Sequence, residues 1–157
     1  MFPIHKILHP TDFSAQSRAA FDVACSLARD YGAELIIVHV HRPEPIFAPD
    51  GIAVNIPAEE PFELRAKLAK IIPEDPRTKF EHHLLEGEPA EEILRIAKSE
   101  GADLIVLGTH GSTGLYRLLM GSVAESVLRK APCPVLTVRA PVRIEKPAVK
   151  EEVVAAS

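Results

Sequence analysis

Two stretches, AELIIVHVH at 33–41 and ADLIVLG at 102–108, are nearly continuous apolar runs of strand length. Alternating apolar and polar residues would mark a strand with one wet face. An unbroken run marks a strand covered on both faces, which is the habit of a parallel sheet flanked by helices.

The intervening sequence supplies the helices. HKILHP at 5–10 is a short aliphatic run ending at Pro10. From Ser14 an amphipathic pattern places Ala20, Val23, Ala24, Leu27 and Ala28 on one stripe, and Gly32 is its C-cap. RPEPIFAPDGIAVNIPAEEPFE is dense in proline and is expected to be an irregular surface excursion, over roughly residues 42–62. A helix is expected over ELRAKLAKII and a strand over TKFEHHLLEG. PAEEILRIAKSEG opens with Pro89, carries Glu91 and Glu92 in the first turn and closes on Gly101, a third helix. SVAESVLRKA and CPVLTVR give the fourth helix and fifth strand. Proline, charge and small residues dominate the remainder. The expected organisation is therefore one domain over 1–140 and a flexible tail over 141–157.

Five strands interleaved with four helices predict a single open doubly wound α/β sheet. Ligands of such sheets sit beyond the carboxyl ends of the strands, where the strand order reverses. The first and fourth strands should flank that point. The loops of interest are then HPTDFS after the first strand and GTHGSTG after the fourth.

Both suit a nucleotide. Gly108 and Gly111 lack Cβ atoms, so main-chain amides can approach an anion, and Gly121 with Ser122 opens the next helix. Helix N-termini offer unpaired N–H groups and a positive dipole end, and the Ser122 hydroxyl adds a donor. Asp12 would repel a triphosphate, yet it could accept hydrogen bonds from ribose hydroxyls or hold a divalent metal; its plainer reading is a helix N-cap. The chain has no Walker-type lysine loop, and no dinucleotide glycine fingerprint follows the first strand.

Composition excludes other classes. A net charge of −4 with scattered Lys and Arg argues against nucleic acid as a partner. No apolar run approaches the ~20 residues of a membrane span, and the N-terminus lacks a signal-peptide pattern, so a cytoplasmic protein is expected. Cys25 and Cys133 read as reduced, near-core residues. His39 and His41 share one strand face while His82 and His83 point to opposite faces; no Cys or carboxylate joins them at ligand spacing, so these read as hydrogen-bonded rather than metal-binding.

Glycine, two residues, glycine, nine residues, then glycine and serine is a spacing that resembles the nucleotide-binding motif of the universal stress protein family. Gly108, Gly111, Gly121 and Ser122 match it at every position. KILHPTDFS, AELIIVHVH, ADLIVLGTHG and APCPVLTV extend the resemblance across nearly everything before the tail.

The resemblance implies five parallel strands in the order 3-2-1-4-5, like the adenine nucleotide α-hydrolases. It implies a homodimeric ATP-binding regulator of the stress response, with ATP bound alone or with Mg or Mn. Pro10, Thr11 and Asp12 would line the adenine and ribose end, and the Val40 backbone would meet the adenine. Gly108, His110, Gly111, Gly121, Ser122 and Val123 would hold ribose and phosphates.

No carboxylate in the glycine loop offers itself as a base, so hydrolysis is expected to be absent or slow, with no catalytic residue. The last strand should lie at a sheet edge, and Val135, Leu136, Thr137 and Val138 would pair with a twofold mate. Two other classes stay open: a nucleotide-independent interaction module using the proline-rich excursion, and an adenylating α-hydrolase relative. HPTDFS lacks the glycine-serine-rich loop expected of the latter.

Overall fold

The computed structural model describes residues 2–43, 46–47, 53–54, 59–110 and 120–140. Gly111 and the expected tail at 141–157 lie outside the described residues. The elements are β1 (Lys6–Pro10), α1 (Ala15–Tyr31), β2 (Glu34–His41), β3 (Ile46–Phe47), β4 (Ala53–Val54), α2 (Pro61–Leu68), β5 (Phe80–Glu86), α3 (Pro89–Ser99), β6 (Leu104–Gly108), α4 (Ser122–Lys130) and β7 (Val135–Val138). Five of the strands form one parallel sheet in the order β5-β2-β1-β6-β7. Numbered among themselves these are 3-2-1-4-5, as expected, so the order reverses between β1 and β6.

The apolar runs dictate the layering. Successive side chains on a strand point to opposite faces. Ile7, Leu35, Ile37, Leu104 and Val106 pack with Ala20, Phe21, Ala24 and Ala28 of α1 and Leu68 of α2. Leu8, Ile36, Val38, Ile105 and Leu107 pack with Ile93 and Ile96 of α3 and Ala124 and Val127 of α4 on the other face. Each fully buried Ile or Leu contributes about 1.5–3 kcal/mol, so β1, β2 and β6 carry much of the core energy.

Local signals set the ends of α1. The Ser14 side chain caps its start, and Gly32 closes it at φ 65°, a left-handed conformation that glycine adopts at no steric cost. Asp103 ties the start of β1 to β6, because its Oδ2 accepts the N–H groups of His5 at 2.8 Å and Lys6 at 3.0 Å. Those two bonds hold its carboxyl below the usual carboxylate range.

The proline-rich excursion departs from expectation. β3 and β4 form a two-residue antiparallel ladder within it. α2 begins at Pro61 and stops at Leu68 instead of spanning ELRAKLAKII. Proline fits the first helical position, where its missing N–H would have no partner. At the other end, Pro73 biases Ile72 away from helical geometry, and the helix tightens into i→i−3 bonds from Lys70 to Lys67 and from Ile71 to Leu68.

The two sheet edges differ. β5 carries Glu81, His82, His83 and Glu86, whereas β7 is VLTV, with Leu136 38% exposed.

Candidate functional site

β1 ends at Pro10, where the chain turns into α1 through Thr11, Asp12 and Phe13. The Thr11 N–H donates to the Val38 carbonyl at 2.8 Å, one bond beyond the paired strands. Phe13 then takes φ 64°, a left-handed conformation that is costly for a residue with a Cβ. A closed set of hydrogen bonds holds it there. Thr11 Oγ1 accepts the Phe13 N–H at 3.1 Å, and Asp12 Oδ1 accepts the Ser14 N–H at 3.0 Å. Ser14 Oγ accepts the Ser17 N–H at 3.2 Å, Ser17 Oγ donates to the Ser14 carbonyl at 3.0 Å, and Thr11 Oγ1 donates to Ser17 Oγ at 3.1 Å. The helix cap is therefore Ser14, and Asp12 makes the turn before it.

His39 secures the same loop from the neighbouring strand. Its Nδ1–H donates to the Thr11 carbonyl at 2.8 Å, and its ring centroid lies 4.4 Å from that of Phe13. Burial pushes its pKa below the usual histidine value, against a smaller opposing effect of the bond to Thr11. The imidazole is therefore neutral at neutral pH, with the proton on Nδ1.

Across the strand-order reversal, β6 ends at Gly108, and its glycine has a packing reason. A Cβ there would lie 3.1 Å from the Gln16 carbonyl oxygen and 3.2 Å from its carbon, so α1 rests directly on the Gly108 backbone. Gly108 thus gives a helix room to approach closely, a cause distinct from freeing amides for an anion. Thr109 follows, with its N–H on the Val138 carbonyl at 3.1 Å and its Oγ1 2.9 Å from His110 Nδ1.

The described residues resume at Met120. The Gly121 N–H donates to the Thr109 carbonyl at 2.8 Å, pinning the start of α4 against the end of β6. Gly121 is the N-cap at φ −61° and ψ 151°, and α4 has no side-chain cap bond. The leading amides of Ser122, Val123 and Ala124 have no intrahelical acceptor by the geometry of a helix start. Met120 and Val123 pack on the α3 and α4 side of the sheet.

These elements enclose a cavity of about 310 Å³. Pro10, Thr11, Asp12, Val40, Gly108, His110, Gly121, Ser122 and Val123 line it together; Gly111 lies outside the described residues. Ser17, His39, Thr109, Pro89 and Ile93 also line it, none of which sequence reasoning selected. His39 was legible as a histidine one residue before Val40, and its bond to Thr11 is what places it here. His82 and His83 are hydrogen-bonded elsewhere, to the Ile71 carbonyl at 2.7 Å and the Glu81 carboxylate at 2.8 Å. Among the described residues no group of three or more His, Cys, Asp or Glu could hold a metal ion, and no helix is long and apolar enough to cross a membrane.

The family model described as "Universal stress protein family" matches residues 3–139. The chain belongs to the universal stress protein family. Universal stress protein MJ0531 of Methanocaldococcus jannaschii is 40% identical over 147 residues, covering 87% of this chain and 82% of that protein. Universal stress protein MJ0577 of the same organism is 35% identical, covering 85% of this chain and 94% of that one. The solved structure of MJ0577 superposes with a TM-score of 0.73 over 89% of this chain and 99% of its own. The universal stress protein of Archaeoglobus fulgidus, solved in complex with dAMP, has a TM-score of 0.61 at 25% identity, covering 87% of this chain and 98% of its own. This universal stress protein thus shares fold and full domain length with relatives, one of which has been captured with an adenine nucleotide.

Proposed function

We propose that the cavity between β1 and β6 binds an adenine nucleotide, ATP in particular, and that the nucleotide acts as a regulatory effector in a stress response. The observation that carries this is the convergence of the β1 loop and the uncapped start of α4 on one cavity at the strand-order reversal. The dipole and unpaired amides of α4 suit phosphate, Asp12 suits ribose hydroxyls, and the Val40 main chain suits the adenine edge. The dAMP complex of the Archaeoglobus relative supports the same ligand class.

Hydrolysis is absent or slow in this reading. Among the described residues lining the cavity, Asp12 is the one carboxylate, and its Oδ1 already accepts the Ser14 N–H. Attack on a γ-phosphate needs an oriented nucleophile and charge aimed at the leaving oxygens. Mg or Mn would travel with the phosphates, since the described side chains form no metal cluster.

Equilibrium titration with ATP, ADP and AMP, with Mg and again with EDTA, tests the assignment. Saturable binding that is strongest for ATP is expected; no saturable signal at millimolar nucleotide overturns it. The protein is proposed to act as a homodimer paired through Val135, Leu136, Thr137 and Val138, the apolar edge strand with Leu136 exposed. A dimer mass by light scattering is expected, and a monomer at working concentration sinks that part alone.

A further inference from the structure

A second cavity, of about 330 Å³, opens on the outer side of the β1 loop between α1 and α2. Its apolar walls are Phe13, Phe21 and Ile71, and its charged lining is Arg18, Lys67 and Lys70 with no carboxylate. In a chain whose net charge is −4, three cations around one hollow run against the average. Two of them are held over the aromatic walls. The Arg18 guanidinium carbon lies 5.4 Å from the Phe21 centroid and Lys67 Nζ lies 5.9 Å from that of Phe13.

Both have acidic partners at the surface, and Lys67 reaches both carboxylate oxygens of Glu59. Arg18 meets Asp22 at 3.4 Å and Lys67 meets Glu59 at 2.8 Å; both pairs are well exposed, and neither acid lines the cavity. Exposed pairs contribute little, so an incoming anion displaces them at small cost. Lys70 makes no side-chain hydrogen bond or ion pair among the described residues. Ser14 Oγ, also in the lining, is used as an acceptor by the Ser17 N–H, which leaves its hydroxyl hydrogen to donate.

From this lining we propose a second ligand site, specific for a small anion carried on a flat apolar body, such as an aryl phosphate. The flat body would rest on Phe13 and Ile71, and the anion would face Lys70, Lys67 and the Ser14 hydroxyl. Thr11 and Ser17 line both this cavity and the cleft proposed for the nucleotide. Their hydroxyl pair is the wall between the two sites.

The test is a chemical-shift titration of the full chain with phenyl phosphate, alongside inorganic phosphate and phenol. Phenyl phosphate is expected to saturate with shifts at the amides of 13–18 and 67–71, about tenfold tighter than either fragment. Lys70→Glu is expected to weaken it by about tenfold or more, and Arg18→Gln by less, with amide spectra otherwise unchanged. Four results would each overturn the site: no saturation by about 20 mM, shifts confined to 108–110 and 121–124, equal affinity for inorganic phosphate, or no loss in Lys70→Glu. ATP titrated in parallel separates the two readings. If ATP leaves 121–124 unmoved while phenyl phosphate moves 13–18, the nucleotide assignment falls and this one stands.

Discussion

α1 and α4 bring their N-termini to the same cleft and arrive in opposite states. α1 is closed by its own sequence: Ser14 caps it, Asp12 and Thr11 take up the N–H groups of the turn, and Ser17 returns a hydroxyl to the Ser14 carbonyl. α4 starts on a glycine with no side chain to offer. A glycine cap forgoes on the order of a few tenths of a kcal/mol relative to Ser, Thr or Asp, and it leaves the leading amides of α4 without a side-chain acceptor. The contrast teaches where an anion belongs. Donors already engaged within the protein build the wall, and donors left to be engaged are the ones a guest would meet in the proposed site.

Four perturbations break or sharpen that contrast, in descending order of effect. Gly121→Asp should be the most severe for function. Its backbone angles are ones aspartate adopts readily, so the carboxylate would cap α4 and occupy the phosphate position. ATP affinity should fall by more than about a hundredfold by calorimetry while the melting temperature rises, a pairing that a merely damaged fold cannot give.

Next comes acid, which strikes the α1 side. His9 is fully buried beside Phe21 of α1, its Nδ1–H donates to the Val106 carbonyl at 2.9 Å, and its Nε2 has no hydrogen-bond partner among the described residues. Burial lowers its pKa to about 4 against a smaller opposing effect of that bond. The folded pKa is depressed, so the unfolded chain binds the proton first, and stability present above pH 6.5 is lost as pH falls to about 4. The loss is on the order of 3 kcal/mol by urea denaturation, and it should shrink in His9→Asn, which keeps a donor near the Nδ1 position.

Gly108→Ala should destabilise by about 1–3 kcal/mol, because its methyl would press on the Gln16 backbone and push α1 off β6. Denaturant midpoints measure that; an unchanged midpoint would mean α1 yields without cost. Ser14→Ala is the mildest, removing about 1 kcal/mol of cap and leaving ATP affinity within about twofold. Comparable losses of ATP affinity in Ser14→Ala and Gly121→Asp would erase the distinction between the helices.

The sheet was readable from residues alone because its central strands are buried on both faces, and unbroken apolar runs such as LIIV and LIVL have few other uses. The position of the β1 loop was readable from its Thr-Asp turn, although the cap proved to be Ser14 and not Asp12, and most of the loop after β6 lies outside the described residues. What the sequence hid depends on distances between segments far apart in the chain. The reason for Gly108 is the approach of Gln16, and the parts played by His39 and Ser17 follow from their bonds to Thr11. The end of α2 was misjudged by four residues because the apolar pattern continues through Ile71 and Ile72 while Pro73 withdraws backbone support. Gly111 carries the motif in sequence and lies outside the described residues.

The placement of β1 has a consequence for synthesis. The strand made first occupies the middle of the sheet, and its second neighbour is translated almost a hundred residues later; the bond from His5 to Asp103 spans 98 positions. A ribosome-bound fragment can zip β1 to β2 early, but the β1–β6 junction must wait for that long closure. The cleft proposed for the nucleotide sits on this junction. Ligand capture would therefore report a chain made at least through the start of α4, and products cut off before β6 would be born blind to the nucleotide.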